Sequence, residues 1–252
     1  MTRCCSWSKL GQVPGIRSLG LNQRDATRAG GATAATGRDR LRQRLARPLR
    51  RAAEYQRITL KDLASAVAGI DAAVAAGFPK IKLNAVLMRG KSETQLLPLL
   101  DFARERGAYL RFIELMPLTT TQVLTRENFL PAEEARRAIS ESIPLERAED
   151  VRLGHGPAVY YRTPTGQLVG FIGAMTDLHF CDACNKIRLT SDGKIRPCLG
   201  NHLEFDLKSI LRGGGSDDDV ADLFRRTLGL KPAEHEFRGQ YRPGRSMTAI
   251  GG

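Results

Sequence analysis

Apolar residues recur first at helical spacing and then in a short continuous run in the middle of the chain. Residues 60–76 are rich in Ala, Leu and Val, with Thr59 as a candidate N-cap and Gly77 just after the end. That pattern predicts a helix. Residues 80–88 follow as a run with few polar positions, which predicts a mostly buried strand.

The same order of patterns then repeats. Ser92 and Gln95 form a second helix start, and apolar positions at helical spacing continue from there to Gly107. Residues 109–116 indicate the next strand. A strand, a helix and a strand at this spacing predict parallel pairing and an α/β fold.

The pattern changes after Pro117. Residues 128–139 predict a helix with an acidic first turn. Residues 158–162 and 168–172 predict two strands of a hairpin around a Thr-Pro-Thr-Gly turn. The glycine- and aspartate-rich stretch 213–219 indicates a solvated loop.

The positive charge of the chain is concentrated at one end. Residues 1–51 carry eleven Arg and one Lys against two Asp, so they hold +10 of the formal net charge of +12. No aromatic residues interleave with those arginines, which argues against a specific nucleic-acid platform. There is no apolar run of about 18 residues and no secretory segment, so we expect no membrane span. Cysteines at metal-ligand spacing, with two left over, fit a reducing cytoplasm better than a disulfide framework.

Three of the five cysteines form the spacing C-x2-C-x13-C, at Cys181, Cys184 and Cys198. With His179 or His202 as a fourth ligand, this spacing suits a structural zinc site. Three thiolates alone also suit an iron–sulfur cluster that keeps one iron open for another ligand. Incidental thiols are the third reading, and spacing alone leaves all three open.

The residues around these cysteines are more specific than their spacing. The run from Phe180 to Leu199 reads FCDACNKIRLTSDGKIRPCL. It closely resembles the C-terminal cluster motif of the molybdenum cofactor biosynthesis protein A family, the radical S-adenosylmethionine GTP 3′,8-cyclases. Residues 80–90 (KIKLNAVLMRG), 109–116 (YLRFIELM) and 245–252 (RSMTAIGG) resemble further segments of that family, so the resemblance covers roughly 56–252.

The N-terminal part departs from the family. The resemblance leads us to expect an N-terminal C-x3-C-x2-C loop that holds the cluster that cleaves S-adenosylmethionine. No such spacing exists in the 252 residues, because Cys4 and Cys5 are adjacent and the next cysteine is Cys181. Residues 23–51 are rich in Ala, Arg and Gly, with too little apolar content to bury. We interpret 1–55 as a truncated and partly aberrant segment, consistent with a shifted reading frame.

The resemblance implies an α/β fold, with an incomplete radical-SAM-type partial (β/α)6 barrel and a C-terminal iron–sulfur cluster-binding region. Residues 56–126 would hold the remaining barrel units. Residues 127–252 would bind the cluster and the substrate. A homodimer, as in the family, is a further expectation.

The resemblance also assigns roles to individual residues. Cys181, Cys184 and Cys198 would hold one [4Fe–4S] cluster, and Met116 would contact S-adenosylmethionine. The tail residues Gly251 and Gly252 would enter the active site. The residues expected to bind GTP are Lys82, Lys186, Ile187 and Arg188. Lys186 stands where the family has an arginine. A lysine ammonium cannot bind a phosphate through two coplanar donors as a guanidinium does.

The implied chemistry is the conversion of GTP to 3′,8-cyclo-GTP. In the family, the N-terminal cluster reduces S-adenosylmethionine, and the resulting radical takes a ribose hydrogen from GTP. This chain keeps the substrate-binding end and lacks the initiating cysteines, so no catalytic residue can be assigned and we expect it to be inactive as it stands. The alternative is a non-catalytic zinc or iron–sulfur remnant that binds nucleotide.

Overall fold

The computed structural model describes Tyr55, Gln56, Thr59 and residues 61–118, 124–154, 156–239 and 241–250. Five α-helices and eight strands lie in the described ranges from residue 61 onward. The helices are α1 (Leu63–Ala75), α2 (Leu96–Glu105), α3 (Ala132–Ser140), α4 (Leu207–Arg212) and α5 (Asp217–Gly229). The strands are β1 (Lys82–Leu87), β2 (Tyr109–Glu114), β3 (Glu146–Arg147), β4 (Val159–Arg162), β5 (Leu168–Ile172), β6 (Arg188–Leu189), β7 (Lys194–Arg196) and β8 (Phe205–Asp206).

The strands form two sheets. The larger has the order β1-β2-β5-β4-β3, with β1, β2 and β5 parallel and the β3–β4–β5 part antiparallel. This confirms the α/β class, the parallel pairing of β1 with β2, and the predicted hairpin of β4 and β5. The smaller sheet has the antiparallel order β6-β7-β8.

One face of the larger sheet carries the core. Leu83 and Leu87 of β1 and Leu110 and Phe112 of β2 alternate onto this face, where α2 and α3 cover them. The Phe112 and Phe171 rings stack there with centroids 5.6 Å apart. The other face takes the intervening residues, so polar side chains from β1 and β2 lie together on it.

Helix ends differ from the sequence-based expectation in three places. The first helix begins at Leu63 because Asp62, not Thr59, caps it, with its carboxylate accepting from the Ser65 amide at 2.8 Å. The helix predicted over 128–139 spans Ala132–Ser140, since Pro131 occupies the N-cap and Asn128 bonds to Thr125 instead.

The third difference concerns the stretch 213–219, which is only partly a loop. Ser216 and Asp219 form a reciprocal capping box, so the helix α5 begins at Asp217. Three aspartates in the first turn face the positive end of the helix dipole and stabilise this start. The expectation of a solvated loop there was wrong for residues 217–219.

The predicted partial (β/α)6 barrel stays a prediction. The described residues form an open sheet with β1 and β3 at its edges. Pairing of β5 with β2 joins strands from both predicted regions, 56–126 and 127–252, and that division stays a prediction. Of the segment 1–55, only Tyr55 is described. Among the described residues, no helix is long and apolar enough to cross a lipid bilayer.

The buried carboxylate of Glu114 joins three parts of the fold. Glu114 ends β2 with 1% of its surface exposed. One oxygen accepts from the first amide of α3, at Ala132 (2.9 Å), and from the Thr176 hydroxyl (2.5 Å). The other accepts from the amides of Met175 and Thr176, at 2.7 and 3.0 Å. Four donors therefore compensate the cost of burying this charge.

Replacing Glu114 should destabilise the protein strongly. In Glu114→Ala three backbone amides lose their acceptor, and each unsatisfied buried donor costs about 1–3 kcal/mol. We expect the free energy of unfolding, measured by urea titration, to fall by about 3 kcal/mol or more. Glu149→Ala is the matched control because Glu149 is exposed, and it should change stability by less than about 0.5 kcal/mol. Similar values for the two variants would contradict the role of Glu114.

Candidate functional site

A tight turn spaces the first two cysteines. The Cys184 amide donates to the Cys181 carbonyl at 3.0 Å, so the intervening Asp182 and Ala183 project outward, where both are exposed. Cys181, Cys184 and Cys198 are all free thiols and all half-buried. The local backbone turn therefore determines how Cys181 and Cys184 are placed relative to each other.

A hairpin returns the chain to the third cysteine. Strands β6 and β7 pair antiparallel, with Arg188 opposite Arg196, and Cys198 follows two residues later. The turn between them uses Gly193 at a φ of 86°. The thirteen residues between Cys184 and Cys198 thus contain a hairpin that reverses the chain direction and returns it towards Cys184.

The pKa of the Cys198 thiol is affected by its burial and by neighbouring charged groups. Burial raises the pKa of the Cys198 thiol, while the Gly200 amide and the Lys231 ammonium act to lower it and Cys181 and Cys184 add to the rise. As thiolates, Cys181 and Cys184 would therefore oppose a negative charge on Cys198. A shared positive centre would relieve that repulsion.

Two cations stand beside the thiols. Arg188 is half-buried, and burial is the main cause of its lowered pKa, which Cys184 and Cys198 partly offset. The ammonium of Lys231 lies 3.6 Å from the Cys184 sulfur. Lys186 is exposed and Ile187 half-buried on the same stretch. The sequence pointed to Arg188, Lys186 and Ile187, but it gave no signal for Lys231, which lies 33 residues beyond Cys198.

The histidines proposed as zinc ligands have other partners. His179 pairs with Asp182 at 2.9 Å and its side chain is 85% exposed. His202 stacks on Tyr241 with ring centroids 4.9 Å apart. Across the described ranges, no three His, Cys, Asp or Glu side chains form a group that could hold a metal ion.

The donor set nevertheless has the chemistry of an iron–sulfur ligand set. Such clusters take thiolates as ligands, and a cluster held by three of them keeps one iron for substrate. Arg188 and Lys231 provide positive charge beside Cys184, which suits an anionic thiolate cluster. We therefore treat Cys181, Cys184 and Cys198 as residues that fit this group.

Met116 and Lys82 lie at opposite ends of the β1–β2 pair. Lys82 pairs with Tyr109 at the first register position, while Met116 follows the last strand residue, Glu114. At about 3.3 Å per residue, this separates their backbones by roughly 20 Å. Met116 is half-buried beside the end of β2. The two positions are therefore far enough apart to contact two different ligands.

Lys82 and Arg111 form a pair of cations on the polar face of the sheet. Lys82 donates to the Leu153 carbonyl, and burial, followed by the nearby charges of Arg111 and Lys80, lowers its pKa. Arg111 sits opposite Asn84 and donates to its side chain at 2.8 Å. Sequence reasoning missed Arg111, although its position two residues after Tyr109 placed it on the same face as Lys82.

The absence of a side chain at Gly170 lets Arg111 lie against the sheet. A Cβ on Gly170 would come within 3.0 Å of the Arg111 Cγ and 2.9 Å of the Tyr160 ring. Tyr160 hydrogen-bonds Arg111, and burial raises the pKa of its hydroxyl. Arg111, Tyr160 and the loop containing Leu153 and Gly154 line a small polar cavity.

The C-terminal segment is anchored beside the cysteine hairpin. Arg245 forms ion pairs with Asp192 and Glu204, each at 2.9 Å. The Ser191 amide donates to the Ala249 carbonyl at 3.2 Å, and Ile250 is 1% exposed. The Arg245 guanidinium and the Thr190 hydroxyl hold the pKa of Asp192 well below its usual range. The predicted tail residues Gly251 and Gly252 lie outside the described residues.

Residues 108–237, which include β2, Met116 and all three cysteines, match the family described as Molybdenum Cofactor Synthesis C. The chain belongs to this family. The resemblance seen in the FCDACNKIRL run is therefore confirmed at the level of the family, and the match extends well beyond that run.

Named relatives agree with the family assignment. A GTP 3′,8-cyclase of Moorella thermoacetica is 42% identical over 200 residues, covering 79% of this chain and 61% of the relative. One from Pelotomaculum thermopropionicum is 40% identical over 205 residues, covering 80% and 62%. One from Corynebacterium glutamicum strain R is 39% identical over 211 residues, covering 80% and 55%. The chain thus spans about three-fifths of the length of these relatives of the molybdenum cofactor synthesis C family.

Proposed function

We propose that this chain forms the substrate-binding end of a GTP 3′,8-cyclase of molybdenum cofactor biosynthesis. Cys181, Cys184 and Cys198 hold one [4Fe–4S] cluster, which leaves one iron for GTP. The observation that carries this proposal is the position of Lys231, whose ammonium contacts both the Cys184 sulfur and the Pro197 carbonyl beside Cys198. The two cysteine loops therefore lie together, in a family whose named relatives are GTP 3′,8-cyclases.

The residues after Cys184 would bind the nucleotide at the cluster. When bound, the cluster supplies a Lewis-acidic iron that anchors the substrate. Arg188 is half-buried, and Cys184 and Cys198 are both near enough to affect its pKa. It therefore offers charge-assisted hydrogen bonds close to the same place. Ile187 gives apolar contact, and Lys186 adds an exposed positive charge that attracts an anionic ligand.

The polar face of the sheet would bind the triphosphate. Lys82 and Arg111 are cations that repel each other, and a polyphosphate between them would offset that repulsion. Arg111 is therefore added to the predicted GTP-binding residues Lys82, Lys186, Ile187 and Arg188.

The remaining predicted contacts concern the cofactor and the tail. Met116 at the end of β2 would touch S-adenosylmethionine through its apolar thioether side chain. The anchor formed by Arg245 and Ile250 would direct Gly251 and Gly252 towards the substrate. The initiating C-x3-C-x2-C spacing is missing from the 252 residues, so we propose that this chain alone does not start the radical reaction.

The cluster can be tested by anaerobic reconstitution with iron and sulfide. The parent chain should bind about four iron atoms with visible charge-transfer absorbance, as one cluster requires. Cys198→Ser should lose most of this iron, whereas Cys5→Ser is the matched control and should retain it. Tight stoichiometric zinc without such absorbance would favour the alternative, a metal-binding remnant that binds nucleotide.

GTP binding can be tested with the reconstituted protein. Arg188→Ala should weaken binding by about 1.5–3 kcal/mol, because a charge-assisted hydrogen bond is lost. Arg225→Ala serves as the control, since Arg225 lies exposed on α5 and pairs with Asp222. Isothermal titration calorimetry measures both. Equal affinity in Arg188→Ala and the parent would rule out the assigned role.

The missing initiating end can be tested with dithionite, S-adenosylmethionine and GTP. We expect no 5′-deoxyadenosine from the reconstituted chain, because no cysteines in the 252 residues have the C-x3-C-x2-C spacing of the family's initiating loop. Replacing residues 1–55 by the corresponding N-terminal part of the Moorella relative should restore its formation. More than one turnover by the unmodified chain would show that residues 1–55 have been misinterpreted.

A further inference from the structure

Lys231 connects the two loops that carry the cysteines. Its ammonium donates to the Lys186 carbonyl at 2.9 Å and to the Pro197 carbonyl at 2.7 Å, and it lies 3.6 Å from the Cys184 sulfur. Lys186 is two residues after Cys184, and Pro197 is immediately before Cys198. A single side chain therefore joins both halves of the thiol set.

The backbone of Lys231 is held in place by the preceding helix. Helix α5 ends at Gly229, and the Lys231 amide donates to the Leu228 carbonyl at 3.2 Å. Pro232 follows and restricts the backbone of Lys231 to an extended conformation. The side chain thus starts from a fixed point and reaches both cysteine loops, although Lys231 lies 33 positions after Cys198.

The three contacts use the full donor capacity of an ammonium. Lysine has three N–H donors, and each has one acceptor here: two carbonyl oxygens and one sulfur. Arginine could not reproduce this arrangement, because its donors lie in one plane. A neutral side chain would leave the two carbonyls and the thiolate without their shared positive partner.

We propose that Lys231 is a positioning residue for the cluster. It fixes the separation of the Cys184 and Cys198 loops and donates to the Cys184 sulfur. Hydrogen bonds and positive charge at a ligating sulfur stabilise the more negative, reduced form of a cluster, so Lys231 also raises the reduction potential. This inference rests on the proposed function, because it takes the cluster from there.

The test compares Lys231→Met with the parent after anaerobic reconstitution of the full chain. The methionine keeps an unbranched side chain of similar length and removes the charge and the donors. We expect iron loss to a chelator to be about tenfold faster or more, as for other residues that support metal ligands. The midpoint potential of the cluster, followed by EPR, should move to a more negative value.

Two further variants separate positioning from general effects. Lys231→Arg retains the charge, so its potential should lie nearer that of the parent while its iron loss stays fast. Lys208→Met removes an exposed lysine on α4 and should match the parent in both measurements. A parent-like potential and parent-like iron loss in Lys231→Met would overturn the proposal.

The remaining outcomes are also decisive. If Lys231→Met and Lys231→Arg both lose their apo-state secondary structure by circular dichroism, Lys231 supports the fold and not the cluster. If the parent itself binds no iron, the proposed function fails along with the inference. If the parent binds iron and Lys231→Met behaves as the parent does, only the role of Lys231 fails.

Discussion

The buried carboxylate of Glu114 is the constraint on which the rest of the structure depends. A charge with 1% exposure is tolerated only where hydrogen bonds replace water, and those bonds come from α3 and from the segment after β5. The end of β2, the start of α3 and the route towards the cysteines are therefore fixed by one side chain.

Contacts continue from this point to the thiols. His235 donates through Nε2 to the Ala174 carbonyl at 2.7 Å, and Arg238 donates to the Met175 carbonyl at 3.1 Å. The Phe180 ring, next to Cys181, lies 5.7 Å from the His235 ring. Met175, whose amide binds the Glu114 carboxylate, and its neighbour Ala174 thus also contact the segment that follows α5 and carries Lys231.

The sequence pattern predicted the sheet better than the site. The apolar runs of β1 and β2, and the two runs on either side of the Thr-Pro-Thr-Gly turn, predicted the right elements, because these strands are largely buried. Helix starts were less predictable, since a few side-chain hydrogen bonds decide them. Asp62 caps α1, and Ser216 and Asp219 form the capping box that starts α5. The resemblance of residues 180–199 to the family's cluster motif predicted roles for Arg188 and the three cysteines. Lys231 had no local signal, because its role depends on contacts with residues distant in the sequence. Arg111 had one in the strand period, but its partner Asn84 lies on another strand.

The turn at Cys181 has a chemical consequence beyond ligand spacing. A backbone bond that brings two thiols of a C-x2-C pair together for one centre also brings them together for each other. If dioxygen oxidises that pair to a disulfide, two of the three sulfur ligands are lost while Cys198 keeps its thiol. The oxidised chain would then be a chemically different molecule from the anaerobic one, with the same sequence and the same core.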